Sequence, residues 1–331
     1  MLETEVERSV DQAGGKNTGY FHKVANYRRR VNYIGRIRIN GQFLENKDAI
    51  AMGIVGYYQG QFRESIQHRP FPKYLSTSDL GERERYMLDK PFSEQEIWLG
   101  LRDNDGSKAT GPDGFTIEFL KKCWQWLKGD VLKAFQDFYE SGFLPNWVTH
   151  SFVCLAPKKD TIEDIKDLRP INLIGSINKL ISKVLSRRLS LVLPNLISQQ
   201  QQASVKGRQI SEAGLIANEL VDSRRKSRKP GLMFKIDIEK AFDNVNWECL
   251  FKILTVLGFS DKWKKWVKGT MCSLIISVLV IGEAKGFFKA SKGLRQGDPL
   301  SPGLFVMMME VLSWMLNSAR EAGKFEGFYI K

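Results

Sequence analysis

Apolar positions recur along this chain with two periods, near 3.6 and 2, and the switches between them divide it into helices and strands. Ile34-Gly-Arg-Ile-Arg-Ile39 alternates with period two, predicting a strand with Arg36 and Arg38 on one face, and Asn40-Gly41 predicts a hairpin turn after it. Ile50, Ile54, Tyr57 and Tyr58 then form a helical stripe that Asn46 is placed to cap, and the stripe reads as core rather than as a functional face. From Pro70 to Lys90 the chain is polar and irregular and reads as a linker. Ser93-Glu-Gln-Glu96, flanked by Phe92 and Ile97, is a capping-box pattern that predicts a helix start and the beginning of a new domain.

A Gly/Pro-rich loop, Lys108 to Phe115, precedes Ile117, Leu120, Cys123, Trp124 and Leu127 at helical spacing, which predicts one long helix or two reaching about Tyr139. Phe152 to Leu155 reads as a short strand ending in Pro157-Lys158-Lys159-Asp160. A basic helix follows, with Lys179, Lys183, Arg187 and Arg188 set against Ile177, Leu180, Val184 and Leu185. Ser223 to Lys229 is a basic connection, either a solvated loop or a phosphate contact. Phe234, Ile236 and Ile238 alternate with Lys235, Asp237 and Glu239, predicting a strand buried on one side. Trp247 to Leu257 predicts a helix ending at Gly258, Leu274 to Ala290 a hairpin, and Ser301-Pro302 the cap and first turn of a last helix.

With 43% hydrophobic and 26% charged residues over 331 positions, the chain has the balance of a folded protein of one large domain or two. Fifty Lys and Arg against 37 Asp and Glu leave a net charge of +13, so a polyanionic partner is expected: nucleic acid, nucleotide phosphates or an anionic membrane surface. Basic and aromatic residues interleave from Lys16 to Arg30, a pattern that suits single-stranded nucleic acid or a solvated amphipathic surface. Cys123, Cys154, Cys249 and Cys272 are too scattered for a zinc ribbon or a disulfide framework and read as reduced thiols. No apolar run approaches the ~20 residues of a membrane helix and the amino end has no signal-peptide core, which predicts a soluble intracellular protein.

Two segments concentrate the candidate chemistry. Asp237 sits where the predicted strand gives way to a turn, on the side away from the apolar alternation. Its carboxylate and a neighbouring backbone carbonyl make a half-site for Mg²⁺, an ion that prefers few carboxylates plus phosphate oxygens. Phe242 follows five residues later. Alone, the spacing equally describes a solvated or capping Asp and a core Phe. Gly293 to Phe305 packs glycines, prolines and Gln296 into a loop that feeds a helix start, where backbone N–H groups face one spot and Arg295 and Gln296 point away from it.

Together with KATGPDGFTIEFLKKCW, LAPKKD, DLRPINLI and VKGRQI, these segments resemble the reverse transcriptase domain of non-LTR, long-interspersed-element-type retrotransposons, particularly those of plants, over about Glu94 to Lys331. KNTGYFHKVANYRRR is similar to the connector preceding that domain. The resemblance implies an α+β, right-hand polymerase fold: a helix-rich amino-terminal extension (1–90), fingers (91–230) and a partial palm (231–331) with an antiparallel sheet packed on helices. It implies RNA-directed DNA polymerisation with Mg²⁺, an RNA template, a DNA primer and deoxynucleoside triphosphates. Asp237 is the implied catalytic, metal-binding aspartate, with the Ile238 carbonyl its companion. Phe242 falls at the position that crowds the sugar's 2′ side, and Gln296 and Gly297 in the loop that touches nucleotide and template. Arg169, assisted by Lys158 or Lys159, is implied at the triphosphate, and Arg208, Arg295 and Lys108 at nucleic acid.

The sequence departs from the family in having no Asp-Asp pair anywhere, where the family carries an aromatic-Ala-Asp-Asp hairpin. Two ions about 3.5–4 Å apart need more than one carboxylate. A chain truncated before that motif, inactive alone and marginally stable, is therefore expected, and the alternative is a non-catalytic remnant that holds RNA or an RNA–DNA hybrid.

Overall fold

The computed structural model describes residues 33–66, 69, 71–72, 79–228, 230–272 and 275–327, and the single positions 19, 22, 23 and 26. Most of the basic and aromatic run from Lys16 to Arg30 therefore lies outside the described residues.

Strands β1 (Ile37–Ile39) and β2 (Gln42–Leu44) form the expected hairpin, with Asn40 at φ 51° and Gly41 at φ 84°, as a two-residue turn requires. The two strand arginines are engaged within the fold: Arg36 lies 3.9 Å over the Phe43 ring and Arg38 Nε donates to Asp164 at 2.9 Å. Helix α1 (Lys47–Gln61) starts where Asn46 Oδ1 accepts from the N–H groups of Asp48 (2.9 Å) and Ala49 (3.2 Å), and it buries Ile50, Ile54 and Tyr58. The expected linker contains a helix, α2 (Glu82–Asp89), whose Leu88 is buried and whose Glu84 accepts from the Gly81 N–H at 3.0 Å. In α3 (Glu94–Arg102), Ser93 Oγ accepts from Glu96 N at 3.2 Å.

Helices α4 (Ile117–Lys122), α5 (Trp124–Ser141) and α6 (Asn146–Thr149) lead to β3 (Ser151–Pro157) and β4 (Leu168–Ile174), then to α7 (Ser176–Leu196) and α8 (Ile210–Lys226). Helices α9 (Trp247–Val256) and α10 (Asp261–Met271), the hairpin β5 (Ile275–Val280) and β6 (Glu283–Lys289), and α11 (Ser301–Glu321) follow. The four long strands form one sheet in the order β4-β3-β5-β6. Its outer pairs are antiparallel and its central pair, β3 with β5, is parallel, which corrects the expectation of an antiparallel sheet. The chain leaves β3 and returns to β5 only after the helices α7 to α10, the long crossover that parallel neighbours need.

Ile37, Ile54, Tyr58 and Phe62 share a buried core with Val153, Ile276, Val278 and Phe288, so β1 and α1 cover one side of this sheet. A second core joins the helices, where Phe135, Phe138, Trp263 and Trp266 pack with Leu180, Val184 and Leu304. Arg188, expected on a charged helix face, is instead buried, with 3% of its side chain exposed. It holds both oxygens of Glu96 at 2.7 and 2.8 Å, and the carbonyls of Leu88, Lys90 and Pro91 at 2.7, 2.7 and 3.0 Å.

The strand expected over Phe234 to Glu239 does not form, and Phe234 and Ile236 are 80% and 70% exposed. Among the described residues no strand lies alongside to pair its backbone, and a lone extended segment cannot bury one face. Helix α8 likewise buries none of its residues. Among the described residues no helix is long and apolar enough to cross a membrane, and all four cysteines are free.

Candidate functional site

Four stretches of the chain converge on a cavity of about 470 Å³. The ends of β3 and β4 bring Lys158 and Arg169, a turn brings Glu239 to Asp243, the glycine-rich loop brings Arg295 to Asp298, and α1 brings Tyr57, Tyr58 and Gln61. Phe242, Gln296, Gly297, Arg169 and Lys158 thus line one space, without the Asp237 and Ile238 that the resemblance adds to them.

Backbone bonds fasten the turn to the loop. Gly293 N donates to the Val245 carbonyl at 2.7 Å and Leu294 N to the Phe242 carbonyl at 2.8 Å, while the Trp247 indole N–H reaches the Gly293 carbonyl at 2.8 Å. Gly293 has φ 93°, and a Cβ there would lie 3.0 Å from the Asp243 carbonyl oxygen, so this close crossing suits glycine. Phe242 stacks on Phe305 of α11 at 4.7 Å between centroids, which fixes its ring plane. On the opposite wall, Asn172 N in β4 donates to the Gln296 carbonyl at 2.9 Å.

Among the cations, Arg169 is exposed and has no acidic partner among the described residues. The two lysines differ in position: Lys159 is bound to Asp167 at 3.0 Å, whereas Lys158 lines the cavity and donates to the Lys166 carbonyl at 2.7 Å. Arg295 does not point off the loop. It is buried and paired with Asp298, whose carboxylate also accepts from Leu300 N at 2.9 Å, so the pair shapes the start of α11. Arg208, expected on template, instead closes the carboxyl end of α7, donating to the carbonyls of Pro194, Ile197, Ser198 and Gln201 at 2.5–3.2 Å. Lys108 is exposed in the loop before α4.

Asp237 and Ile238 are exposed and do not line the cavity, because the strand that would carry them is absent. No group of three or more His, Cys, Asp or Glu side chains able to hold a metal ion occurs among the described residues.

Sequence reasoning places α1 in the core alone, whereas Tyr57, Tyr58 and Gln61 line the cavity, and it missed Asp243. Asp243 is 1% exposed and accepts from Gln61 Nε2 at 2.6 Å and from Gln296 Nε2 at 3.2 Å. Burial raises its carboxyl above the ordinary range, opposed by the Gln296 hydrogen bond, the nearby Lys240 ammonium and the Gln61 hydrogen bond. Lys240, in a left-handed conformation at φ 53°, donates to Tyr57 Oη at 2.5 Å and Gln61 Oε1 at 2.9 Å. The only local signal was the i, i+4 spacing of Tyr57 and Gln61, which puts both on one helix face beside the core stripe.

Residues 156–329 match the reverse transcriptase (RNA-dependent DNA polymerase) family. The chain is similar to the transposon TX1 uncharacterized 149 kDa protein of Xenopus laevis, 29% identical over 70% of this chain and 18% of that protein. It is also similar to the retrovirus-related Pol polyprotein from the type-1 retrotransposable element R2 of Popillia japonica, at 25% identity over 71% of this chain and 32% of the other. The Pol polyprotein from the type-2 element R2DM of Drosophila melanogaster is 23% identical over 68% of this chain and 22% of its own length. The chain therefore spans less than a third of each of these relatives, which it matches over 231, 238 and 233 residues. Over more than half of its length, the chain belongs to the reverse transcriptase family.

Proposed function

We propose that this chain is the fingers and front palm of a non-LTR retrotransposon reverse transcriptase, with the cavity as its deoxynucleoside triphosphate site. One observation carries the reading: Lys158 and Arg169 face Phe242 and the Gln296–Gly297 loop across a single space. Phosphoryl transfer rests on positioning and charge stabilisation, and these residues divide that work. The two cations hold phosphates, the Phe242 ring borders the sugar, and the loop meets the base pair. The net charge of +13 and the exposed Lys108 suit an RNA template and a DNA primer held through their backbones.

Reverse transcriptases generally use a divalent metal, and Mg²⁺ is the ion expected here. The chain's own residues do not complete a site for it: Asp237 is exposed outside the cavity, Asp243 is turned to two amides, and the sequence contains no Asp-Asp pair. This deficit favours a second reading for the isolated chain, nucleic-acid and nucleotide binding without incorporation. Primer extension with Mg²⁺ and deoxynucleotides separates the two. Incorporation lost in Asp237→Ala supports a working polymerase, whereas salt-dependent RNA binding without incorporation supports the binding reading. Failure to bind either RNA or nucleotide sinks both.

A further inference from the structure

We propose that Gln61 of α1 is a positioning residue that sets the amide orientation of Gln296 through Asp243, an inference that rests on the cavity being a nucleotide site. The relay follows from donor and acceptor identities. The Lys240 ammonium can only donate, so its 2.9 Å bond requires the oxygen of the Gln61 amide to face it. That turns the Gln61 NH₂ onto Asp243 at 2.6 Å. The other Asp243 oxygen accepts from the Gln296 NH₂ at 3.2 Å, which leaves the side-chain oxygen Oε1 of Gln296 as the end that meets a ligand. Each amide has two possible orientations, and the chain from Lys240 selects one of each.

The relay is backed by a second attachment at the end of α1. Ser291 N donates to the Phe62 carbonyl at 2.9 Å, Glu64 N donates to Ser291 Oγ at 2.7 Å, and Asn246 Nδ2 donates to Glu64 at 2.7 Å. The segment before the family-matched region thereby touches both stretches that build the nucleotide wall. Without Gln61, Asp243 would remain buried with one oxygen unpaired and Gln296 would lose its fixed reference.

The test uses the full chain and Gln61→Met, which conserves volume and removes both hydrogen bonds. Hydrogen–deuterium exchange is expected to rise across 240–245 and 294–298 and to stay unchanged in α3, with the denaturation midpoint lowered by the unpaired Asp243 oxygen. Binding of a fluorescent deoxynucleoside triphosphate, with primer–template present, is expected to weaken by about tenfold, the worth of one hydrogen bond to a charged group. The preference for deoxy- over ribonucleotide should narrow, which loss of general stability would not produce. If Gln61→Met does not fold, Tyr57→Phe, which removes only an acceptor of Lys240, is expected to show the same changes in smaller degree. Unchanged exchange across both segments in a folded variant overturns the relay even where nucleotide binding is strong. If the unsubstituted chain binds no nucleotide but the exchange response is present, the nucleotide-site reading falls and the relay stands.

Discussion

Arg188 Nε and Nη2 grip the two carboxylate oxygens of Glu96 at 2.7 and 2.8 Å, joining α7 to the first turn of α3 in the interior. Three backbone carbonyls, Leu88 in the last turn of α2 and Lys90 and Pro91 just after it, complete the guanidinium's partners. Arg188→Ala leaves Glu96 and those carbonyls without partners, and it should cost about 3–5 kcal/mol, the usual loss when one member of a buried pair is removed. Arg188→Lys should recover little, because an ammonium cannot reproduce the planar fork. Urea denaturation monitored by circular dichroism measures both.

The Gly/Pro-rich loop before α4 acts as a remote cap. Asp113 Oδ2 accepts from Ser176 N at 2.5 Å and from Ser176 Oγ at 2.7 Å, at the start of α7. Asp113→Ala should lower stability by about 1–2 kcal/mol, and Asp113→Asn by less, since its amide oxygen can take the place of the one carboxylate oxygen that accepts both bonds. Gly111→Ala should be more damaging, because its Cβ would lie 2.3 Å from the Ile174 carbonyl carbon and 2.4 Å from Gly175 N, both backbone atoms. Thermal melting should give the lowest midpoint for Gly111→Ala, a higher one for Asp113→Ala and the highest of the three for Asp113→Asn.

Acid sensitivity should be focused at Glu64. Burial alone would raise its carboxyl, but hydrogen bonds from Asn246, the Ile66 N–H and Arg69, with the Arg69 charge, outweigh it and take it from 4.5 to about 2. A folded-state value below the unfolded one stabilises the protein above 4.5, and that contribution fades as pH falls toward about 2. Melting temperature should therefore drop over this interval more steeply in the unsubstituted chain than in Glu64→Gln, and parallel curves would contradict the assignment.

Arg169 lines the cavity and has no acidic partner among the described residues to leave. Arg169→Ala should weaken a nucleoside triphosphate by roughly ten- to a hundredfold, the scale of charge-assisted hydrogen bonds, while a nucleoside lacking phosphates should lose little. Competition titrations against a fluorescent nucleotide give both affinities.

Much of the scaffold was legible because its cues are local. Asn46 and Ser93 mark helix starts by side-chain oxygens that reach amides two or three residues away, and Asn40-Gly41 marks a turn by the φ its residues tolerate. The gathering of Phe242, Gln296, Arg169 and Lys158 followed from family resemblance rather than from any spacing. What stayed hidden depends on distant partners. The same Glu96 that completes a capping-box pattern turns to Arg188, 92 residues away. Gln61 reaches Asp243 across 182 residues. The alternation at Phe234 to Glu239 predicts a strand buried on one side, and none forms, because a strand requires a neighbour and none is present among the described residues.

The bond from Asn172 N to the Gln296 carbonyl has a mechanical corollary. Arg169 lies three residues before Asn172 on β4, so the strand bearing Arg169 is riveted to the loop that carries Gln296 and Gly297. Swinging one wall away from the other would break that rivet and pull Gly297 from Asn172, where even a Cβ would come within 3.3 Å of the carbonyl oxygen. A ligand entering here would thus meet a vise whose jaws are already set at their working gap, and accommodation would fall to rotation of the long Arg169 and Lys158 side chains.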